Sequence, residues 1–310
     1  MSNRTKNVNQ QPLHHRPWKK NVPGYLMVLP AFLVLAAIMF YPIFYTIRMS
    51  LSNVDISSSG YIFNFIGLQH YIDIFTNPVY WDSIWFTFYF AFVTVAVEIV
   101  LGLLIALAIN KVKRLLNVSL VVMLIPWALI TVVSGQMWSY IYNAVYGVLN
   151  YVLETLHLID SPIAWLATPD TAVISMMIAE IWKTTPFVVI ILLAGLQMVP
   201  KDQYEAASMD GANVWQQFWK ITLPAIKGSI AVSIIFRLLQ AFGVFDLPFV
   251  LTGGGPGNAT QPVAMLAQKS LFQNLNFGLG SAISVSVVFF IIMLSITFYP
   301  LIRSVVKGES

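Results

Sequence analysis

Six long apolar stretches, each of about 20 residues or more, constrain this chain more than any other feature of its sequence. A helix rises about 1.5 Å per residue, so a stretch of this length can cross the roughly 30 Å hydrocarbon core of a bilayer. Within that core every backbone polar group must be satisfied inside the helix. We therefore predict an all-α membrane protein with six transmembrane helices at Tyr25–Ile47, Trp85–Ile109, Val118–Tyr140, Val173–Leu196, Ile230–Val250 and Leu279–Leu301.

The composition agrees with a membrane protein and excludes several kinds of site. Of the 310 residues, 58% are hydrophobic and only 10% are charged, whereas about a quarter of the residues of a soluble domain are charged. The absence of cysteine excludes disulfides, thiolate metal sites and cysteine nucleophiles. The four histidines lack metal-ligand spacing: His14, His15, His70 and His157. We expect this chain to bind no cofactor, no metal and no nucleic acid.

The positions of lysine and arginine indicate which side of the membrane each connection occupies. Thirteen of the 17 fall in the two tails and in the second and fourth connections, which the six spans place on one side: Arg4, Lys6, Arg16, Lys19, Lys20, Lys111, Lys113, Arg114, Lys201, Lys220, Lys227, Arg303 and Lys307. The connections on the other side carry only Arg48 and Lys269. We predict that both termini are cytoplasmic, with tails at residues 1–24 and 304–310 around a six-span domain of residues 25–303.

The fourth connection, residues 201–224, is polar and carries the signals of two short helices. Asp202, followed three residues later by Glu205, favours a capping box at the start of the first helix. Gly211 favours its end, because glycine readily adopts the left-handed backbone that commonly follows a helix C-terminus. We therefore predict a helix that stops in a sharp turn at Gly211.

A repeat of the capping pattern predicts the second short helix. Asn213 is followed three residues later by Gln216, and Pro224 is placed to close the helix. Four side chains recur at helical spacing on one face: Trp215, Phe218, Trp219 and Thr222. The pattern fits a docking element for another protein, and equally an ordinary cytoplasmic hairpin that only joins two spans.

The same connection resembles a known motif. The order E-A-A, three residues, G, nine residues, I-x-L-P occurs here without a gap. It is similar to the EAA loop of permease subunits in binding-protein-dependent ABC importers, where the loop is a coupling helix that sits in a cleft of the ATP-binding subunit. The resemblance implies that the coupling residues are Glu205, Ala206, Ala207, Asp210, Gly211, Ile221, Leu223 and Pro224.

Three further stretches are similar to carbohydrate uptake permeases of the maltose and trehalose type. They are EIWKTTPF at Glu180–Phe187, LTGGGPGNAT at Leu251–Thr260 and FGLGSAIS at Phe277–Ser284. The glycine-rich run lacks the lysine of a phosphate-binding loop, so we expect no ATPase site in this chain. The resemblance implies a bacterial cytoplasmic membrane protein, not an enzyme, with a second permease, two ATP-binding subunits that hold ATP and Mg²⁺, and an extracytoplasmic sugar-binding protein as partners.

Five ionisable residues lie within the predicted spans, where they are costly and usually face protein or water: Glu98, Glu180, Lys183, Arg237 and Asp246. Glu180 and Lys183 are three residues apart and are expected to pair on one helix face. Arg237 and Asp246 are nine residues apart, on opposite faces of a regular helix, and both need partners elsewhere, for which the second permease is one candidate. These charges are read either as links between helices or as groups that contact the substrate.

Sugars are bound through hydroxyl hydrogen bonds and through stacking of ring faces on aromatic side chains. The third span offers a stripe of such groups with spacings of four, three and four residues: Trp127, Thr131, Ser134 and Trp138. Arg237 with Gln240 on the fifth span is a second candidate for the substrate path. The alternative is that Trp138, with Tyr140 and Tyr142, belongs to an interfacial belt and that Ser134 and Gly135 are small residues that only allow close helix packing.

These observations predict the transmembrane permease subunit of an ATP-driven ABC importer for a di- or oligosaccharide of the trehalose or maltose type. One alternative is a secondary transporter that couples transport to ions through carboxylates such as Glu98 and Glu180. Another is a membrane scaffold that docks partners and transports nothing.

Overall fold

The computed structural model describes residues 22–58, 60–112 and 116–306. The predictions for the tail before residue 22, for Lys113 and Arg114, and for the chain after residue 306 therefore lie outside the described residues. The chain divides into two compact units, one up to Thr46 and one from Ile47 onward. The first described helix, α1, covers Val22–Ser50.

Helices dominate the remaining chain. They are α2 (Gln69–Thr76), α3 (Pro78–Lys111), α4 (Leu116–Ala128), α5 (Thr131–Ile141), α6 (Val148–Thr155), α7 (Pro169–Gln197), α8 (Lys201–Met209), α9 (Val214–Gln217), α10 (Leu223–Phe242), α11 (Asp246–Leu251), α12 (Val263–Gln268) and α13 (Phe277–Val306). Two short π-helical turns, Phe218–Thr222 and Lys269–Gln273, lie between α9 and α10 and after α12. The described residues contain five helices that could span a membrane, or six if α4 and α5 form one broken span.

The predicted third span is not one straight helix. Its two halves, α4 and α5, meet at an angle of 90° across Leu129 and Ile130. Pro126, four residues before Ile130, lacks the amide hydrogen that would continue the helical ladder, and proline in a helix interior favours such a break. The expectation of a single continuous stripe along this span is therefore wrong.

The predicted fifth span also differs from the structure. Its helix, α10, already ends at Phe242, and the residues up to Val250 belong mostly to the separate six-residue helix α11. Gly243 follows the end of α10, and its low helix propensity fits this position. The chain is therefore irregular between α10 and α11. Helix α11 packs against α5, the helix that follows the break after α4.

A small hairpin on the predicted outer side was not anticipated from the sequence. Strand β1 (Ser52–Ser57) pairs antiparallel with β2 (Gly60–Phe65), with Val54 opposite Phe63. The Arg48 guanidinium lies over the Phe63 ring at 4.3 Å from its centre. The hairpin packs against α13 through β1.

The core is formed where α3, α7 and α10 pack together. One hydrophobic cluster joins buried residues of all three helices: Ala106, Val188, Val189, Leu192, Leu193, Leu196 and Ile226. A Cβ atom on Gly102 would lie 2.6 Å from Val188 Cγ1, so the glycine allows α3 and α7 to approach closely. This three-helix core carries four of the five charged residues that the sequence placed within spans, and the fifth, Asp246, begins α11.

Candidate functional site

The connection between α7 and α10 forms a helix, a sharp turn and a second helix, as predicted. Gly211 has φ of +80°, the left-handed conformation expected after α8. The Ala212 amide donates to the Ala207 carbonyl at 2.9 Å and the Gly211 amide to the Ser208 carbonyl at 3.1 Å. These two bonds form a Schellman ending, which satisfies the last carbonyls of α8.

The two predicted capping boxes have different outcomes. The Gln216 amide donates to Asn213 Oδ1 at 2.8 Å and the Asn213 amide to Gln216 Oε1 at 2.9 Å, which confirms the second box. The first is wrong, because α8 begins after Pro200 and Asp202 lies in its first turn without capping it. An acidic residue in that turn still complements the positive end of the helix.

Pro224 does not close the second short helix. The π turn Phe218–Thr222 joins α9 to α10, with the Leu223 amide donating to the Phe218 carbonyl five residues earlier. Pro224 then lies in the first turn of α10, where a missing amide hydrogen is tolerated. Residues Val214–Phe242 consequently form one helix from the connection into the apolar layer.

Side-chain hydrogen bonds fix α8 on this long helix. Tyr204 Oη and Thr222 Oγ1 are 3.0 Å apart. The side-chain Nε2 of Gln217 donates to Ser208 Oγ at 2.9 Å and to the Ala212 carbonyl at 3.1 Å. These bonds connect α8 directly to the helix that continues into α10.

The residues of the EAA motif lie on both parts of this connection. Glu205, Ala206, Asp210 and Gly211 are exposed on α8 and its turn, and Ala207 is partly buried. On the other part, Ile221 and Leu223 are partly buried and Pro224 is exposed. The exposed residues form a solvent-facing surface. The partly buried residues connect this surface to α10.

An aromatic cluster lies beside that surface, formed by Trp215, Phe218 and Trp219. The centres of the Trp215 and Phe218 rings are 6.0 Å apart, and those of Phe218 and Trp219 are 5.4 Å apart. Both tryptophans are exposed. An exposed apolar patch on an otherwise polar connection is typical of a protein contact.

A buried charge network joins α3, α7 and α10. Arg237, which is 2% exposed, donates from Nε to Glu98 Oε2 at 2.6 Å and from Nη2 to Glu98 Oε1 at 3.0 Å. Nη2 also donates to Glu180 Oε1 at 3.0 Å, and Thr184 Oγ1 donates to Glu98 Oε1 at 2.7 Å. Every helix of the core contributes at least one member.

This network corrects two expectations from spacing. Glu180 pairs with Arg237 and not with Lys183, although Lys183 lies one turn away on the same helix. Arg237 finds both of its carboxylates within this chain, not on a second permease. The interpretation of these charges as links between helices is confirmed for Glu98, Glu180 and Arg237, whose contacts span up to 139 residues of sequence.

The four residues of the predicted polar stripe are divided by the break between α4 and α5. Trp127 is on α4, whereas Thr131, Ser134 and Trp138 are on α5. Ser134 is buried, and the Trp138 ring packs against Tyr142 with 5.1 Å between ring centres. Ser134 and Trp138 therefore lie within the packed part of the chain.

Trp127 instead begins an aromatic row, Trp127–Phe187–Phe236, that crosses α4, α7 and α10. The ring centres are 6.1 Å apart in the first pair and 6.4 Å in the second. Trp127 is 46% exposed and Phe236 53%. Sequence reasoning missed the two phenylalanines, because only the fold brings the three helices together.

Polar groups flank this row on the same helices. Lys183 lies one turn before Phe187, and Gln240 lies one turn after Phe236. Gln240 is exposed, and its Oε1 accepts a hydrogen bond of 2.7 Å from Arg237 Nη1. The surface thus combines ring faces with a cation and an amide, groups that suit a polyhydroxylated ligand.

The glycine-rich run after α11 forms a closed loop on the predicted outer side. Thr252 Oγ1 and Thr260 Oγ1 are 2.7 Å apart at its base. Gly253, Gly254 and Gly257 all have positive φ, which explains the glycine content. Lys269 donates to Gln261 behind the loop, and partial burial lowers the pKa of the Lys269 ammonium.

Comparison with known proteins gives consistent results. Residues 98–307 match the family described as the binding-protein-dependent transport system inner membrane component. A trehalose/maltose transport system permease protein of Thermococcus litoralis is 41% identical over 275 residues, which cover 88% of this chain and 90% of that protein. A trehalose transport system permease protein of Mycobacterium tuberculosis is 36% identical over 287 residues, covering 92% of this chain and 90% of that protein.

Solved structures share the fold. A chain of a bacterial ABC transporter involved in the import of the acidic polysaccharide alginate superposes with a TM-score of 0.78 and 20% identity, covering 94% of this chain and 98% of that chain. The alginate transporter in complex with a periplasmic protein that holds an alginate pentasaccharide gives a TM-score of 0.80 and 21% identity, covering 93% and 96%.

Proposed function

This chain belongs to the inner membrane components of binding-protein-dependent transport systems, as a permease subunit of an ABC importer, and we propose that its cargo is a di- or oligosaccharide of the trehalose or maltose type. The permease family has no ATPase site of its own, so the energy of transport comes from separate subunits. The observation that carries the cargo proposal is the aromatic row with its flanking polar groups. The sugar transport named for two relatives supports the same class of cargo.

The substrate path follows the aromatic row. Trp127, Phe187 and Phe236 offer ring faces for the apolar faces of sugar rings, and Lys183 and Gln240 donate to hydroxyl groups. Arg237 positions Gln240 through their hydrogen bond and does not itself need to contact the sugar. In this proposal the α5 side of the helix break packs behind the aromatic row, through Thr131, Ser134 and Trp138.

Replacing Phe187 by alanine is expected to lower sugar uptake about tenfold, which corresponds to about 1.4 kcal/mol, a reasonable loss for one stacking contact. The measurement is the initial rate of radiolabelled trehalose or maltose uptake into proteoliposomes with the complete importer. Phe289→Ala on α13, which removes an equally apolar but exposed ring, is the matched control. Equal uptake by both variants would remove the aromatic row from the path.

The cytoplasmic connection couples the path to ATP hydrolysis. In this proposal α8 and the aromatic cluster contact one of two ATP-binding subunits, which hold ATP and Mg²⁺. Hydrogen bonds from α8 to the α9–α10 helix pass the movement to Arg237 and the core. A second permease completes the path, and an extracytoplasmic binding protein delivers the sugar.

The protein lies in a bacterial cytoplasmic membrane with both termini inside the cell. The cysteine-free chain allows a direct test by single cysteines. An impermeant thiol reagent applied to whole cells should label Ser58→Cys near the hairpin turn and should not label Lys201→Cys at the start of α8. Both positions are exposed. The reverse pattern would invert the orientation.

A further inference from the structure

Two hollows lie on adjacent faces of the outer half of α3. One is an apolar groove of about 510 Å³, walled by aromatic and aliphatic side chains of α3 and by Phe290 of α13. The other is a polar cleft of about 720 Å³ between α3, the start of α7 and the tip of the glycine-rich loop. Trp85 and Tyr89 line both, so the two hollows share one wall.

The polar cleft is acidic. Asp82 from α3 and Asp170 from α7 line it together with Asn258 from the loop, and the described residues that line it include no lysine or arginine. Two carboxylates favour an occupant that brings a positive charge and hydrogen-bond donors. The amide of Asn258 can in turn donate to an anionic group of the same occupant.

The depth of the hollows fits the boundary between lipid head groups and acyl chains. Asp82 and Asp170 each lie three residues before the predicted starts of their spans, Trp85 and Val173. In the structure Asp82 lies in the second turn of α3, which begins at Pro78, and Asp170 lies in the first turn of α7, which begins at Pro169, so both carboxylates are near the predicted outer ends of their helices. Trp85, which is 74% exposed, and Tyr89 follow Asp82 within two turns of α3, and side chains of this kind concentrate at the boundary between head groups and hydrocarbon.

We propose that these hollows together bind one phospholipid whose head group ends in a primary ammonium. The ammonium lies between Asp82 and Asp170, the phosphate faces the Asn258 amide, and an acyl chain fills the aromatic groove. A polar cleft and an apolar groove joined by a wall of aromatic rings match an amphipathic molecule better than a purely apolar helix. The choice of the outer leaflet rests on the proposed orientation of the spans, whereas lipid binding does not.

Lipid retention by the assembled importer tests this site. The complex is reconstituted in nanodiscs with equal amounts of phosphatidylethanolamine, phosphatidylcholine and phosphatidylglycerol of identical chains in both leaflets. After extraction, native mass spectrometry counts the retained lipids. We expect phosphatidylethanolamine to be retained about tenfold over phosphatidylglycerol, the ratio that about 1.4 kcal/mol of preference gives. Phosphatidylcholine, which lacks ammonium hydrogens, should fall between them.

Variants of the lining residues test whether the preference for phosphatidylethanolamine arises in the polar cleft. The double change Asp82→Asn and Asp170→Asn should remove the preference for the ammonium head group, and Asp160→Asn, an exposed outer carboxylate away from the cleft, should keep it. Trp85→Ala should lower the retention of all three lipids. Equal retention of the three lipids by the unchanged importer would overturn the proposal without requiring any variant. A photoreactive residue at position 85 that captures the second permease and no lipid would overturn it as well.

Discussion

Replacing Arg237 by methionine is expected to prevent stable assembly of the permease and to abolish uptake. The change leaves Glu98 and Glu180 without their cation in the interior of the three-helix core. Removing one partner of a buried ion pair costs about 3–5 kcal/mol, which is a large part of the stability of a whole domain. The measurement is the yield of monodisperse complex in detergent together with its thermal midpoint.

Two further variants make this expectation specific. Lys227→Met also removes a cation from α10, but from an exposed position, and should leave assembly unchanged. Combining Arg237→Met with Glu98→Gln and Glu180→Gln removes all three charges and should restore much of the lost stability. A single Arg237→Met variant as stable as the unchanged protein would show that the network does not hold the core together.

Replacing Gly211 by valine is expected to uncouple ATP hydrolysis from transport while the spans still assemble. Gly211 has φ of +80°, and a Cβ atom there would meet nothing within 4 Å. The effect therefore comes from backbone conformation and not from a clash. A β-branched residue in this region costs about 1–2 kcal/mol or more and should displace α9 relative to α8.

Gly211→Asn is the matched control, because asparagine tolerates the left-handed conformation. The valine variant should lose stimulation of ATPase activity by sugar-loaded binding protein, and the asparagine variant should keep most of it. Glu205→Lys reverses an exposed charge on the same helix and should also impair coupling. Normal stimulation in Gly211→Val would show that the geometry of this turn is unimportant for coupling.

The sequence predicted local features of the connection because each depends on neighbouring residues. Gly211 and the Asn213–Gln216 box have their conformations set within a few residues, and both expectations are confirmed. The box at Asp202 failed because Pro200 begins α8 earlier than the acidic pattern indicated. Pro224 was read as a helix end, whereas the π turn before it lets the helix continue.

Features that depend on tertiary packing could not be predicted from the sequence. The six apolar stretches predicted six spans, since length and hydrophobicity decide whether a segment can cross a bilayer, and the described residues contain five such helices, or six if α4 and α5 are one broken span. They did not predict the 90° bend after α4, whose two sides pack against different helices, α4 against α7 and α5 against α11. Nor could spacing reveal that Arg237 meets Glu98, because the two residues are 139 positions apart.

The residues of the aromatic row, which we propose as the substrate path, were identified only in part from the sequence for the same reason. Trp127 and Gln240 lie on the exposed surface that carries the aromatic row. Phe187 and Phe236 complete that row, but in the sequence they are ordinary aromatic residues of apolar spans. Trp138 was grouped with Trp127 by a spacing that assumed an unbroken helix, which the structure does not have.

The charge network also bears on ion-coupled transport, the rival mechanism. Such a mechanism needs a carboxylate that binds and releases a cation during the cycle. Glu98 accepts hydrogen bonds from both Arg237 and Thr184, and Glu180 accepts one from Arg237. Both carboxylates named for that role are thus engaged in holding helices together.

Transport by proteoliposomes that contain the complete importer tests the central claim most directly. ATP inside the vesicles and a proton or sodium gradient are supplied one at a time, and uptake of radiolabelled trehalose or maltose from sugar-loaded binding protein is measured. The account predicts uptake with ATP alone, no uptake with either gradient alone, and loss of the ATP-driven uptake in Gly211→Val but not in Gly211→Asn. Uptake driven by an ion gradient, without ATP or the ATP-binding subunits, would contradict it.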